Sequence, residues 1–183
     1  MRDKKIKNTV LSAMFLAVGI VLPVFTAQIK EIGDSILPMH IPALLCGFIC
    51  GPWYGLVTGI LIPVLKGLIS SMPPIFPNAV WMACELASYG FISGSLYRRK
   101  KNPSTGYTYI CLITAMIIGR IVWGIVKTLL MGLGGNAFTF GAFITGGFID
   151  AVPGIILQLV LVPKITGVIS KIEKEDSHTV LKS

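Results

Sequence analysis

The sequence predicts an all-α integral membrane protein with six transmembrane helices and both termini in the cytoplasm. The first observation is composition: of 183 residues, 54% are hydrophobic and only 13% are charged. A typical soluble domain carries about 25% charged residues, and the mean hydropathy of this chain is +0.79. The other two observations are long apolar runs and the clustering of basic residues between them. Together they exclude a soluble globular domain and a disordered chain, and favour a single transmembrane domain over residues 1–183.

The first predicted helix covers residues 9–27. The chain begins with basic residues and continues with an apolar run, as a signal peptide does. No convincing A-x-A cleavage site follows, and further apolar runs come after it. We therefore interpret this segment as a retained first helix.

The next apolar run, residues 36–69, is too long for one span. About 34 residues at 1.5 Å each make ~50 Å of helix, against a hydrocarbon core of ~30 Å. Gly51-Pro52 is a natural turn inside the run. The sequence therefore predicts two helices here, over residues 36–51 and 53–69.

The remaining apolar runs predict helices over residues 78–97, 107–133 and 140–169. Basic residues cluster before the first helix, at residues 98–101 and toward the C-terminus, and basic loops are typical of the cytoplasmic side. An even number of spans must then separate the first two clusters, and the division of residues 36–69 into two helices provides it. Topology therefore explains the formal net charge of +8, and we do not expect a nucleic-acid partner.

Ionisable residues inside the predicted spans are functional candidates, because a charge in lipid is unfavourable. Asn78, Trp81 and Glu85 are spaced i, i+3 and i+7, so they share one helix face. The same spacing recurs on the next predicted helix between an arginine, a tryptophan and a lysine. Most candidates fall in the predicted outer half of the membrane, which indicates an outward-opening pocket for a small polar ligand. The candidate ligand-binding residues are Asn78, Trp81, Glu85, Arg120, Trp123, Lys127, Asp150, His40 and Lys66.

An alternative is that these charges only hold the bundle together, with Arg120 and Lys127 paired to Glu85 and Asp150. Three cations, counting Lys66, face two anions and leave one positive charge over. A buried unpaired charge is unfavourable, so either an anionic ligand balances it or a lysine extends toward the interface. The proline-rich segment at residues 70–78 has two open interpretations as well, a lid over the pocket or a rigid turn.

Small residues mark the first helix as a partner-facing element. Ala13 and Ala17 form an AxxxA pattern on a helix that has no buried charge, and small residues allow close helix approach. The four cysteines lie in apolar runs without CxxC or zinc-site spacing, and no metal site is predicted. The sequence contains no P-loop, HExxH or Ser/His/Asp arrangement. We therefore expect a binding or transport protein, not an enzyme, with no cofactor in this chain.

Three stretches of sequence carry a family resemblance. They are AMFLA at residues 13–17, LPMHIPALLCGFICGPWYGLVTGILIPVLKGL at residues 37–68 and MPPIFPNAVWMACELASYGFISGSLY at residues 72–97. With them the chain resembles, over nearly its whole length, the S-component of an energy-coupling factor (ECF) vitamin transporter. The middle stretch is the more specific signal, since AxxxA is common in membrane proteins.

The resemblance implies a membrane-embedded protein that binds a vitamin or its precursor at the outer side, in the cell membrane of a prokaryote. It implies docking on a transmembrane T-component through Ala13 and Ala17, and two ATPase subunits that use ATP to drive the complex. It also implies a pocket built from the fourth to sixth helices with the outer loops after the first and third, which are the regions of the candidate residues above.

The substrate and one other class of function stay open. The spare positive charge favours a carboxylate or phosphate ligand, and we expect pantothenate first, with pyridoxine-like compounds, pyrimidine precursors, niacin and folates as alternatives. The competing function is a self-sufficient ion-coupled carrier that uses Glu85, Asp150 and Arg120 as a relay. A small membrane enzyme is a third hypothesis.

Overall fold

The computed structural model describes residues 2–26, 37–100, 103–133 and 139–180, and every regular element within them is helical. A π-helical turn, Thr145–Ile149, follows the sixth helix, and a kinked segment, Ile75–Ala79, with extended backbone at Phe76, precedes the fourth. The prediction of an all-α fold is confirmed. The helices are α1 (Arg2–Thr26), α2 (His40–Cys50), α3 (Pro52–Ser70), α4 (Val80–Tyr97), α5 (Thr105–Leu133), α6 (Phe140–Ile144) and α7 (Val152–Val180).

Four segments of the described chain are long and apolar enough to cross a membrane. They are Asp3–Thr26, Pro52–Ser70, Thr105–Gly132 and Thr145–Ile172. α2 has 11 residues, which make about 16 Å of helix, roughly half of a hydrocarbon core. α4 has 18 residues and buries Glu85 among small and aromatic side chains. The helices are those of a multi-pass membrane protein, while six spans with cytoplasmic termini stay a prediction.

The predicted division of residues 36–69 is confirmed at Gly51. α2 ends at Cys50 and α3 begins at Pro52, so Gly51 alone makes the turn. Its φ of +104° lies in the region that L side chains rarely adopt and glycine adopts readily. Gly55 packs against the Cα of Gly47 on the other side of this turn. α2 and α3 therefore run antiparallel, and their free ends, His40 and Ser70, lie at the same end of the bundle.

The predicted helix over residues 140–169 is not continuous. It divides into α6, the π-helical turn Thr145–Ile149 and α7, with Asp150 and Ala151 at the joint. Gly146 and Gly147 lie in the π-helical turn, where Asp150 donates its backbone N–H to Thr145 O, five residues earlier. Pro153 has no backbone N–H to continue the ladder. α7 then extends beyond the predicted end at residue 169, as α1 extends before the predicted start at residue 9.

The backbones of α3 and α4 pack closely against each other in the middle of the bundle. Gly90 lies directly against the backbone of Gly55, and Gly59 lies against the carbonyl of Leu86. Small residues at such contacts let two helix backbones approach closely. The face of α4 that carries Leu86 and Gly90 is thereby held against α3. A core of buried residues packs α2, α4, α5 and α7 together. It includes Leu44, Tyr89, Leu112, Ala115 and Val162.

Basic residues gather at one end of the bundle. At one end, Asn8 Nδ2 and Arg98 Nη2 both donate to the Cys50 carbonyl oxygen, at 3.1 and 2.6 Å. This contact brings together the start of α1, the α2–α3 turn and the end of α4, and we name it the Arg98 end. The opposite end holds Thr26 and His40, and we name it the His40 end. The basic residues beside Asn8 and Arg98 thus share one end, in agreement with the even number of passes predicted between them.

Candidate ligand-binding site at the His40 end

A buried polar cluster on three helices forms around the carboxylate of Glu85, which is 2% exposed. Its Oε1 accepts a hydrogen bond from Tyr89 OH at 3.1 Å, one helical turn along α4. Arg120 Nη1, on α5, lies 2.8 Å from the same oxygen and forms an ion pair with it. His40 Nε2, at the first residue of α2, lies 3.3 Å away without hydrogen-bond geometry. The cluster therefore joins α2, α4 and α5 through one oxygen atom.

Some buried polar atoms of this cluster make no hydrogen bond within the described residues. Arg120 Nη2 and both ring nitrogens of His40 are buried and make no hydrogen bond within the described residues. A buried donor without an acceptor costs about 1–3 kcal/mol. The His40 ring instead packs on the Tyr89 ring, with centroids 5.2 Å apart. His40 Nε2 already contacts Glu85, so His40 Nδ1 and Arg120 Nη2 are the nitrogens available to a ligand or to water.

A second group pairs the Lys127 ammonium with two indoles. Lys127 Nζ lies 4.6 Å from the centre of the Trp123 ring and 5.2 Å from the Trp81 ring, within the range of a cation–π interaction. The Arg120 guanidinium lies 6.0 Å from the same Trp123 ring. Phe143, on α6, also packs on that indole, with ring centroids 6.0 Å apart. Arg120 thus connects the cation–π group to the carboxylate cluster.

A cavity of about 550 Å³ opens at the His40 end beside the carboxylate cluster. Ligand pockets are typically 300–1,000 Å³ and mostly apolar with a few polar groups. Here the polar groups come from Thr26, His40, Lys66 and Asn78, and the rest of the lining is apolar. The wall is completed by Pro23, Leu37, Pro38, Met39, Met72, Pro73, Pro74 and Met82. The cavity therefore has the size and character of a small-molecule site.

The proline-rich segment forms one wall of this cavity. Lys66 Nζ, on α3, donates to the Met72 carbonyl oxygen at 3.0 Å and fixes the segment to the helix before it. Met72 and Phe76 turn their side chains outward, with 69% and 70% of their surface exposed. The segment thus covers the cavity through its backbone and prolines, while its large apolar side chains face away from the protein.

The predicted ligand-binding residues fall into three groups and one outlier. His40, Lys66 and Asn78 line the cavity, and Glu85 and Arg120 pair beside it. Trp81, Trp123 and Lys127 form the cation–π group. Asp150 is exposed at the joint between α6 and α7, and no cation of the described residues pairs with it. The alternative of charge pairing therefore holds for Arg120 with Glu85, and within the described residues it does not hold for Asp150.

Tyr89 and Met82 are among the site residues that the sequence did not predict. Tyr89 follows Glu85 by four residues, and Met82 follows Asn78 by four, so both continue the predicted helix face. Their spacing was therefore a usable signal, but neither side chain is charged. Met39 and the prolines of the wall gave no such signal, since apolar lining resembles any apolar core.

Ala13 and Ala17 lie on a free face of α1. Both are exposed, and neighbouring side chains on that helix are exposed as well, including Val10, Met14 and Val18. In the apolar membrane-spanning part of α1, only 11% of the residues are buried inside the protein. The opposite face packs on α2 and α3, where Gly19 fits against Ile62. A broad helix face with small residues at its centre is therefore open to lipid or to a partner.

Comparison with known proteins adds the family. A sequence model of the ECF transporter substrate-specific component matches residues 7–166. The chain belongs to this family. No curated protein and no solved structure gives a significant match.

The match covers every helix that contributes to the His40-end cavity and to the carboxylate cluster. As an S-component, the protein is the substrate-specific subunit of a membrane importer, and membership of a transporter family agrees with the expectation of a non-enzymatic protein. The family name gives no substrate, so the identity of the ligand depends on the chemistry of the site.

Proposed function

We propose that this S-component binds a small vitamin or vitamin precursor that carries a carboxylate or phosphate group, with pantothenate as the leading candidate. The observation that carries this proposal is the charge balance around the cavity. Lys66 and Arg120 are almost fully buried, and Lys127 is half-buried over the same Trp123 ring that Arg120 approaches. Within the described residues near this site, Glu85 is the buried carboxylate, since Asp150 is exposed. An anionic ligand would balance the excess.

The donors at the cavity support an oxygen-rich ligand. Lys66 Nζ uses one of its three N–H groups on the Met72 carbonyl and keeps two for a ligand oxygen. His40 and Asn78 add polar atoms to the same wall. Pantothenate offers a carboxylate, an amide and two hydroxyl groups to such a site. Apolar contacts from Met39 and Met82 would bury its methyl groups.

We also propose the orientation and the assembly. The basic Arg98 end faces the cytoplasm, as basic segments do, so the cavity opens to the outside of a prokaryotic cell. The free face of α1 at Ala13 and Ala17 docks on the T-component, and two ATPase subunits supply the energy from ATP. Substrate then reaches the cytoplasm only in the complete complex.

Calorimetry with purified protein tests the ligand class. We expect pantothenate to bind and its alcohol analogue pantothenol, which has a hydroxymethyl group in place of the carboxylate, to bind about 10–150-fold more weakly, the equivalent of one charged hydrogen bond of ~1.5–3 kcal/mol. Lys66→Met should remove this preference. Lys164→Met is the matched control, because Lys164 is exposed on α7 and does not line the cavity. Equal affinity for the two compounds would exclude recognition of an anion.

Reconstitution separates this function from an ion-coupled carrier. In liposomes that contain the S-component alone, we expect ligand binding without accumulation. Adding the T-component and the ATPase subunits with ATP should start uptake. Robust accumulation driven by an ion gradient, without those partners, would contradict the proposal and favour the carrier.

A further inference from the structure

The Arg98 end contains a second cavity, separate from the ligand-binding cavity at the opposite end of the bundle. Its volume is about 760 Å³, and it lies between the start of α1, the α2–α3 turn, the end of α4 and the middle of α7. Its rim is basic, with Lys4 and Lys5 from α1 and Arg98 and Lys100 from the end of α4. The described residues that line it include no acidic side chain.

The Arg98 guanidinium is fixed in place at this cavity. Its Nη2 donates to the Cys50 carbonyl at 2.6 Å, which uses one of five N–H donors. Gly51 makes room for it, because a Cβ there would collide with the guanidinium. The remaining donors of a positioned guanidinium match the oxygens of a phosphate group. Arg98 is thus a preorganised anion-binding group at the edge of the cavity.

The hydroxyl group of Thr166 is a second, independent indication that this cavity binds a polar group. Thr166, on α7, lines the cavity and is only 3% exposed. Its Oγ1 makes no hydrogen bond within the described residues. A threonine in a helix commonly bonds a backbone carbonyl of the preceding turn, as Thr128 bonds Gly124 in α5. Thr166 leaves this bond unmade, so its hydroxyl is free for a group that occupies the cavity.

The lining is amphipathic as well as basic. Its apolar lining includes Phe48, Ile49 and Ile169, and Tyr54 contributes a phenol group. Anionic lipids present a phosphate above an apolar chain, and basic pockets between helices at the cytoplasmic side are typical sites for such head groups. We propose that this cavity binds a phosphate group, held by Arg98, the neighbouring lysines and the Thr166 hydroxyl. The source of the phosphate is an anionic lipid head group or a soluble phosphate.

Native mass spectrometry from nanodiscs and thermal unfolding in detergent test the site and its source. In nanodiscs of mixed phosphatidylglycerol and phosphatidylcholine, we expect the protein to retain phosphatidylglycerol selectively. The variant Lys4→Gln/Lys5→Gln/Lys100→Gln should lower retention at least tenfold, and Thr166→Val should lower it without changing the net charge. Lys171→Gln is the charge control and Thr128→Val the hydroxyl control, because neither residue lines the cavity.

In detergent, inorganic phosphate is compared with chloride at equal ionic strength. Stabilisation by phosphate that disappears in the triple variant identifies a soluble source, whereas stabilisation by added phosphatidylglycerol alone identifies a lipid. Equal retention of both lipids together with no effect of phosphate would overturn the proposal. It would also be overturned if the triple variant binds both probes as wild type does and instead fails to assemble with the T-component, since the basic rim would then be a protein contact.

Discussion

Glu85 on α4 and Arg120 on α5 form a buried ion pair, with 2.8 Å between Oε1 and Nη1. Both side chains are at most 6% exposed, so each charge depends on the other for its solvation. Tyr89 donates to the same carboxylate oxygen, and His40 contacts it from α2. The pair therefore has a structural role whatever the ligand is, and a ligand role rests on the atoms that the pair leaves unused.

Removing one partner of this ion pair should lower the stability of the fold. We expect Glu85→Ala to lower the free energy of unfolding by about 3–5 kcal/mol, because it leaves the Arg120 charge buried without a partner. Thermal unfolding in detergent without ligand measures the effect. The double variant Glu85→Ala/Arg120→Met should be more stable than Glu85→Ala alone, since it contains no unpaired charge. A Glu85→Ala protein as stable as wild type would show that the pair contributes nothing to the fold.

Much of the fold was predictable because the membrane restricts it to few solutions. Apolar runs of the length of a span must become helices, and basic segments mark one side. The turn at Gly51 followed from two facts together, the excess length of the run and a Gly-Pro step inside it. The break before α7 was equally local, since Pro153 and the preceding glycines were visible in the sequence. It was missed because residues 140–169 were read as one apolar run.

The site was predictable by residue type and for the pairing of Arg120 with Glu85, but not for the contact with His40. Periodicity on α4 and α5 selected Glu85 and Arg120, but nothing local says that His40, 45 residues before Glu85, meets the same oxygen. That contact depends on the α2–α3 hairpin and on the close packing of α3 against α4. The same limit applies to Asp150, whose position in an apolar run predicted burial, whereas the broken helix exposes it.

Lys127 offers a test of the cation–π group. We expect Lys127→Ala to weaken an anionic ligand about 10–150-fold, or ~1.5–3 kcal/mol for a lost charged hydrogen bond. Lys127→Arg should keep most of the affinity, because a guanidinium also stacks on Trp81 and Trp123. Calorimetry gives the affinities, and tryptophan fluorescence reports whether the indoles lose their cation. Equal affinities of wild type and Lys127→Ala would remove Lys127 from the ligand site.

Substitutions on the free face of α1 should separate uptake from binding. We expect Ala13→Trp or Ala17→Trp to abolish uptake by the complete ECF complex, since an indole prevents close helix approach. Ligand affinity of the isolated protein should stay as in wild type, because neither alanine lines the cavity. Ile117→Trp, on the exposed face of α5, is the control and should support normal uptake. Unchanged uptake by both alanine variants would refute docking through this face.

The contact between Gly90 and Gly55 links the fold to the ligand site. A Cβ on Gly90 would collide with the carbonyl of Gly55, and backbone atoms cannot rotate away as a side chain does. We expect Gly90→Ala to force α4 from α3 and to lower stability by about 1–3 kcal/mol, measured by thermal unfolding in detergent.

Gly106→Ala is the matched control, because nothing lies within 4 Å of a Cβ at that position. It should leave stability unchanged or raise it by up to ~1 kcal/mol through helix propensity. Since α4 also carries Glu85, the shift in Gly90→Ala should weaken ligand binding as well, although Gly90 does not line the cavity. A Gly90→Ala protein with normal stability and lower ligand affinity would contradict the predicted loss of stability. It would mean that the α3–α4 contact orients the carboxylate cluster without stabilising the bundle.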